Sequence, residues 1–224
     1  LTPVVAELHG ADEQQNIRAV WYRGSKLTTA FATPLLLGLA LLAEPLINAW
    51  IGPEFKTSVP VCQWLVAAVM ISVIHGNTEN ILSMGGHQRF LAFSILGCQG
   101  LNLGLSLFLI HIYGITGVAM ATFIAYVPVY VGLIQTRAGR VHERSHWDFY
   151  KSTVFPSIIP ALLMAAFLVG VQRYRPVTNL VEVAILEILG SMVFAGAFWL
   201  IGFNGKERAY FKDKIINRIF HRKR

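Results

Sequence analysis

Apolar residues in this chain are gathered into long blocks with short polar stretches between them. Six blocks are of a length to cross a bilayer as helices: Leu27–Trp50, Val59–Met84, Phe90–Ile112, Ile115–Ile134, Val154–Val171 and Leu180–Ile201. A hydrocarbon core about 30 Å thick takes roughly 20 apolar residues in helix, with a usable range of about 17–25. The separators carry the expected breakers, Gly52-Pro53, Gly85-Gly86, Gly114, Gly139 and Pro176. Pro34, Pro45, Pro128, Pro156 and Pro160 fall within blocks. They predict kinks rather than ends, because neighbouring helices re-satisfy the backbone groups that proline frees. The pattern predicts an all-α integral membrane protein with six transmembrane helices, four across residues 27–134 and two across 154–201. Residues 1–26 are expected to hold the end of a preceding helix and a cytoplasmic turn, 135–153 a cytoplasmic loop, and 202–224 a basic tail. The chain opens at Leu1 without methionine and is expected to be a piece of a longer protein.

Charge placement tests the register of those blocks. With the segment ahead of the first block in the cytoplasm, the alternating loops put sixteen of the nineteen Lys and Arg inside. Only Lys56, Arg173 and Arg175 fall outside. That is the bias of the positive-inside rule, and a missed or extra span would scramble it. Both ends are therefore expected in the cytoplasm. Composition agrees: 54% of residues are hydrophobic and 14% charged, where a soluble domain has about 25% charged. The formal net charge of +7 belongs to topology and to anionic membrane lipids. It does not point to nucleic acid, since the basic residues sit between or beyond apolar blocks.

Two stretches lie outside the blocks. The loop at 135–153 ends in Trp147, Phe149 and Tyr150, aromatics suited to the membrane interface. In the tail, Phe211, Ile215, Ile216, Ile219 and Phe220 recur at helical spacing, with Lys206, Arg208, Lys212, Lys214, Arg218 and Arg222 around them. This reads either as an amphipathic helix lying on an anionic leaflet or as a solvated tail that only sets topology.

Polar groups inside a span are costly and mark function by default. The second block holds the densest set: Ser72, His75, Gly76, Asn77, Glu79, Asn80 and Ser83. At about 100° per residue, all of these except Asn77 fall within an arc of about 140°. Ile71, Val73, Ile74, Ile81 and Leu82 lie mostly outside it. One face is thus wet and the other meets lipid or protein. His75 and Glu79 are four apart and placed to pair. The face reads either as the lining of a substrate cavity or as an interhelical hydrogen-bond cluster. Gln99 and Asn102 in the third block carry the same two readings, cavity lining or polar glue. The GxxxG at Gly100–Gly104 is a weak sign of close helix packing. In the last block, Glu182 reaches the interface, whereas Glu187 lies deeper and is either paired or protonated; Glu44 is expected at the interface.

Cys62 and Cys98 have no CxxC or Cys/His spacing and read as reduced thiols packed as small hydrophobes. There is no Gly-rich phosphate loop, HExxH or GxSxG, so no cofactor, metal or enzyme activity is expected. No Lys or Arg lies deep in a block, so no cationic clamp for a pyrophosphate is expected within the spans.

Four stretches resemble a known family: LTPVVAELHGADEQQNIRAVWYRGSK, LLAEPLINAWIGPEF, ILSMGGHQRFLAFSILGCQGLNLGLSLFLI and HIYGITGVAMATFIAYV. They are similar to the polysaccharide-flippase branch of the multidrug/oligosaccharidyl-lipid/polysaccharide exporter superfamily, Wzx-type O-antigen transporters in particular. The resemblance covers residues 1–136 and includes no catalytic signature. It implies a MATE-like transporter of two six-helix lobes, with 27–134 as the last four helices of the second lobe and 154–201 as an extra pair. Paired lobes around a central cavity are a general transporter design. The resemblance further implies movement of an undecaprenyl-pyrophosphate-linked oligosaccharide from the inner to the outer leaflet of the bacterial inner membrane by alternating access. Other polysaccharide-assembly proteins are implied as partners. The second block corresponds to a cavity-lining helix, which singles out His75, Asn77, Glu79 and Asn80. Basic cavity residues found in some relatives have no counterpart here. The competing readings are a cation-coupled small-molecule exporter of the same superfamily, a membrane-embedded polysaccharide-processing enzyme, and a structural scaffold.

Overall fold

The structure is a computed structural model that describes residues 14–203. The basic tail, with Lys206, Arg208, Lys212, Lys214, Arg218 and Arg222, lies outside the described residues, as do residues 1–13. In chain order the helices are α1 (Gln14–Leu41), α2 (Ala43–Trp50), α3 (Ser58–Met84), α4 (Gln88–Tyr113), α5 (Ile115–Tyr126), α6 (Gln135–Val141), α7 (His146–Thr153), α8 (Phe155–Tyr174) and α9 (Leu180–Ala197). A π-helical stretch, Val127–Ile134, joins α5 to α6 without a break, and α9 ends in a π-helical turn, Phe198–Gly202. No strand occurs among the described residues. Six segments are long and apolar enough to cross a membrane: Asn16–Leu41, Ser58–Met84, Gln88–Tyr113, Ile115–Val141, Phe155–Tyr174 and Leu180–Gly202.

The number of spans matches the sequence reading, while some boundaries move for identifiable reasons. The first span starts at Asn16 instead of Leu27 and stops at Leu41. Pro45 has no N–H to give the Leu41 carbonyl, and its ring crowds that oxygen. The helix therefore breaks at Leu42, and Pro45 sits in the first turn of α2. Expected as a kink, Pro45 marks an end. Pro156 likewise opens α8, where a missing N–H costs nothing. The stretch 135–153 is not an irregular loop: it forms α6 and α7, the latter capped by Ser145, whose hydroxyl accepts from Trp147 N at 3.2 Å.

The turns are built by glycine. After α3, His87 N donates to Leu82 O and Gly86 N to Ser83 O, the paired bonds of a Schellman motif. Gly86 takes φ 83°, a region that glycine enters at little cost. Gly114, at φ 59°, turns α4 into α5. Three residues on, a Cβ on Gly117 would strike the Leu109 carbonyl, so its absence lets the two helices close together.

The helices are arranged as α4, α5, α3, α1 and then the α8–α9 pair, with α1 touching α3, α7, α8 and α9. Two apolar cores result. One joins Ile17 and Trp21 of α1 to Ile81 and Leu82 of α3, Val129, Ile134, and Phe149 of α7. The other joins Ala30 and Leu42 to Met164, Leu168, Leu186 and Phe194. α4 stands at the edge, burying little beyond Leu91, Ser94 and Cys98.

Candidate functional site

The polar residues of α3 divide between two faces of the helix. His75, Asn77 and Thr78 are buried, whereas Ser72, Gly76, Glu79 and Ser83 are half-buried and Asn80 is exposed. The buried group is a network. Trp21 Nε1 donates to Thr78 Oγ1 at 3.0 Å, and Thr78 donates to Gln135 Oε1 at 3.3 Å. Asn77 Nδ2 donates to Thr28 Oγ1 at 3.0 Å. These bonds tie α1, α3 and α6 together. Asn77 and Thr78 thus spend their side chains on neighbouring helices.

His75 has its tautomer set by its partners. Nδ1 lies 2.7 Å from Ile71 O, which only accepts, so Nδ1 carries the proton. Nε2 lies 2.9 Å from the Tyr150 hydroxyl and accepts from it. Burial pushes the Tyr150 phenol up to about 12, so it stays a donor across physiological pH. With both nitrogens used, the expected His75–Glu79 pair does not form. Tyr150 and Phe149 also depart from the interfacial role expected of them. Phe149 is fully buried, with its ring centroid 5.4 Å from Trp21; Trp147 alone of the three stays 55% exposed.

The second face is a less buried stripe: Ser72, Gly76, Glu79, Asn80 and Ser83 follow one another along α3. A Cβ on Gly76 would meet nothing within 4 Å. Tyr130 approaches from the π-helical stretch and engages both Ser72 and Glu79. One oxygen of the Glu79 carboxyl, Oε1, is buried with no hydrogen-bond partner. The stripe thus runs from half-buried groups beside Tyr130 to the exposed Asn80.

The remaining candidates separate in the same way. Asn102 accepts from Ser106 at 3.2 Å and from Thr122 at 3.4 Å, which places it in the α4–α5 seam. Gln99 is exposed on the edge helix. Glu44 pairs with Lys56 at 2.6 Å, and Glu182 with Arg175 at 3.0 Å, as interfacial carboxylates do. Glu187 accepts from Ser191 Oγ at 3.4 Å and lies over Gly38, where any Cβ would run into its carboxyl. Among the described residues it has no ion-pair partner.

Sequence reasoning missed Trp21, Thr28, Thr78, Gln135 and Tyr150. Four of them lie in stretches taken as loop or as an ordinary part of a span. Thr78 escaped because it falls opposite the polar arc. Lys26 is a further correction: it lies within the first span and is only 7% exposed, with its ammonium 5.5 Å from the Phe203 ring centroid. A buried cation therefore does occur in a span, near its basic end.

The class follows from the six spans: the described residues are helical without strands, and six helices long and apolar enough to cross a membrane make the chain a multi-pass membrane protein. In comparisons with protein-family models, curated proteins and solved structures, nothing matches the chain.

Proposed function

We propose that this chain is part of a transporter that flips an undecaprenyl-pyrophosphate-linked oligosaccharide from the inner to the outer leaflet of the bacterial inner membrane. The less buried stripe of α3 lines the path of the sugar head group, and the lipid tail stays in the bilayer. The observation that supports this reading is that the stripe's polar groups are not all spent on neighbouring helices. A polar set that only glued these helices together would be spent against a neighbour, as His75, Asn77 and Thr78 are. Asn80 is exposed instead, and Glu79, although it meets Tyr130, keeps one buried carboxyl oxygen without a partner. Facing hydrocarbon, such groups would be costly; facing a wet cavity, their hydroxyl, amide and carboxyl groups match the donors and acceptors of a sugar. By the resemblance, the first lobe supplies the opposite wall, and rocking of the lobes gives alternating access. Both ends of the chain are cytoplasmic in this reading.

The test is made in the native host with Glu79→Ala combined with Asn80→Ala. The expected outcome is accumulation of lipid-linked oligosaccharide on the inner leaflet and loss of surface polysaccharide, at an unchanged level of membrane-inserted protein. Losing two polar contacts to a substrate corresponds to roughly a tenfold or greater fall in translocation. Translocation at the wild-type rate overturns the assignment.

A further inference from the structure

At the basic end of the bundle, two cavities meet. One, of 240 Å³, is lined by Arg23, Lys26 and Lys151 together with Tyr22, Pro156 and Ile201. The other, of 650 Å³, is lined by Arg18, Arg144 and Lys151, again with Tyr22. Tyr22, Lys151 and Ser152 belong to both, so the two form one continuous cleft between α1, α7 and the start of α8. Five cations border it against one lining carboxylate, Asp148. Glu143 approaches Arg18 only to 3.6 Å and is itself 85% exposed, so it neutralises little of that charge. Two donors in the cleft are left unspent: Arg18 Nε and the Tyr22 hydroxyl are buried without a hydrogen-bond partner. Orphaned buried donors are rare in folded proteins and call for an explanation.

We propose that this cleft binds a phosphate ester, held by Arg18 and Lys151 with the Tyr22 hydroxyl as a further donor. Guanidinium and ammonium groups bond phosphate oxygens through strong charge-assisted contacts. The cleft lies where three spans reach the membrane surface. Basic pockets between spans at a cytoplasmic face are built to take anionic lipid head groups. Trp147, stacked edge-on against Phe155 at 5.2 Å, sits beside the cleft, as an interfacial aromatic would. A lipid head group and a soluble phosphate share the chemistry that the cleft offers, and the experiment separates them. The site does not depend on what the α3 stripe handles.

The test uses the full-length protein, purified and delipidated, then returned to nanodiscs of phosphatidylcholine with or without phosphatidylglycerol, with retained lipid read by native mass spectrometry. Arg18→Gln combined with Lys151→Gln should cut phosphatidylglycerol retention about tenfold, the loss expected from two charge-assisted bonds. Tyr22→Phe keeps the ring packing and should give a smaller loss. Arg137→Gln combined with Arg140→Gln removes equal charge from the same end outside the cleft and should leave retention unchanged. A parallel arm in detergent adds inorganic phosphate: competition there assigns the cleft to soluble phosphate as well, and its absence assigns it to lipid. Retention unchanged in the Arg18/Lys151 variant, or reduced equally by the Arg137/Arg140 control, overturns the site; circular dichroism of each variant checks that the helices persist.

Discussion

At the scale of single residues, the contact between Tyr150 and His75 carries more than its size implies. It joins α7, which lies outside the spans, to α3 through the imidazole Nε2. Tyr150→Phe keeps the ring and removes the donor, leaving His75 Nε2 buried and unpaired. Such a loss costs about 1–3 kcal/mol, measurable as a lower midpoint of thermal unfolding in detergent. The pH dependence has a definite sign. The folded phenol is raised from the ordinary 10.0 to about 12, so between those values the unfolded chain releases its proton first. Stability from Tyr150 is complete below pH 10 and declines as pH rises toward 12. The gap between wild type and Tyr150→Phe should be flat below that window and narrow through it. None of this was visible in the sequence. Tyr150 and His75 are 75 positions apart, and a tyrosine after a polar loop has the same pattern whether it meets head groups or a buried histidine.

At the scale of elements, what was legible was hydrophobic length, and what was not was where the backbone stops being helical. The ends of α3 and α4 came within two residues of expectation because Gly85-Gly86 and Gly114 punctuate them. The start of α1 did not, because Arg18, Arg23 and Lys26 interrupt the apolar run without interrupting the helix. Window hydrophobicity cannot distinguish charged turns of a helix that emerge from the membrane from a loop. The polar arc of α3 is not uniform in the structure: Asn80 is exposed, whereas His75, at the arc's edge, is buried. The α3–α4 turn gives the measurable consequence at this scale. Gly86→Ala places a Cβ in the left-handed region at φ 83°, which costs about 1–2 kcal/mol. Since nothing lies within 4 Å of that Cβ, the penalty is conformational alone, and Gly86→Asn should recover part of it in the same unfolding assay.

At the scale of the whole molecule, the fold bears on topology without reference to charge counting. The start of α1, all of α7 and the turn after α9 converge on one cleft, while the Glu44–Lys56 and Arg175–Glu182 pairs sit in the turns at the other ends of the same helices. Six spans are the arrangement in which these two groups occupy opposite membrane surfaces, because each span reverses the chain once. An odd number of spans between the start of α1 and the turn after α9 would tear the cleft apart. The expectation is checked with single cysteines introduced after Cys62 and Cys98 are replaced by alanine. Arg89→Cys and Arg140→Cys should react with a membrane-impermeant thiol reagent only when the cytoplasmic side is exposed. Thr57→Cys and Thr178→Cys should react in intact cells. Arg89 and Arg140 labelling from opposite sides would break the register of α4 and α5, and with it the common surface on which both the α3 stripe and the basic cleft are oriented.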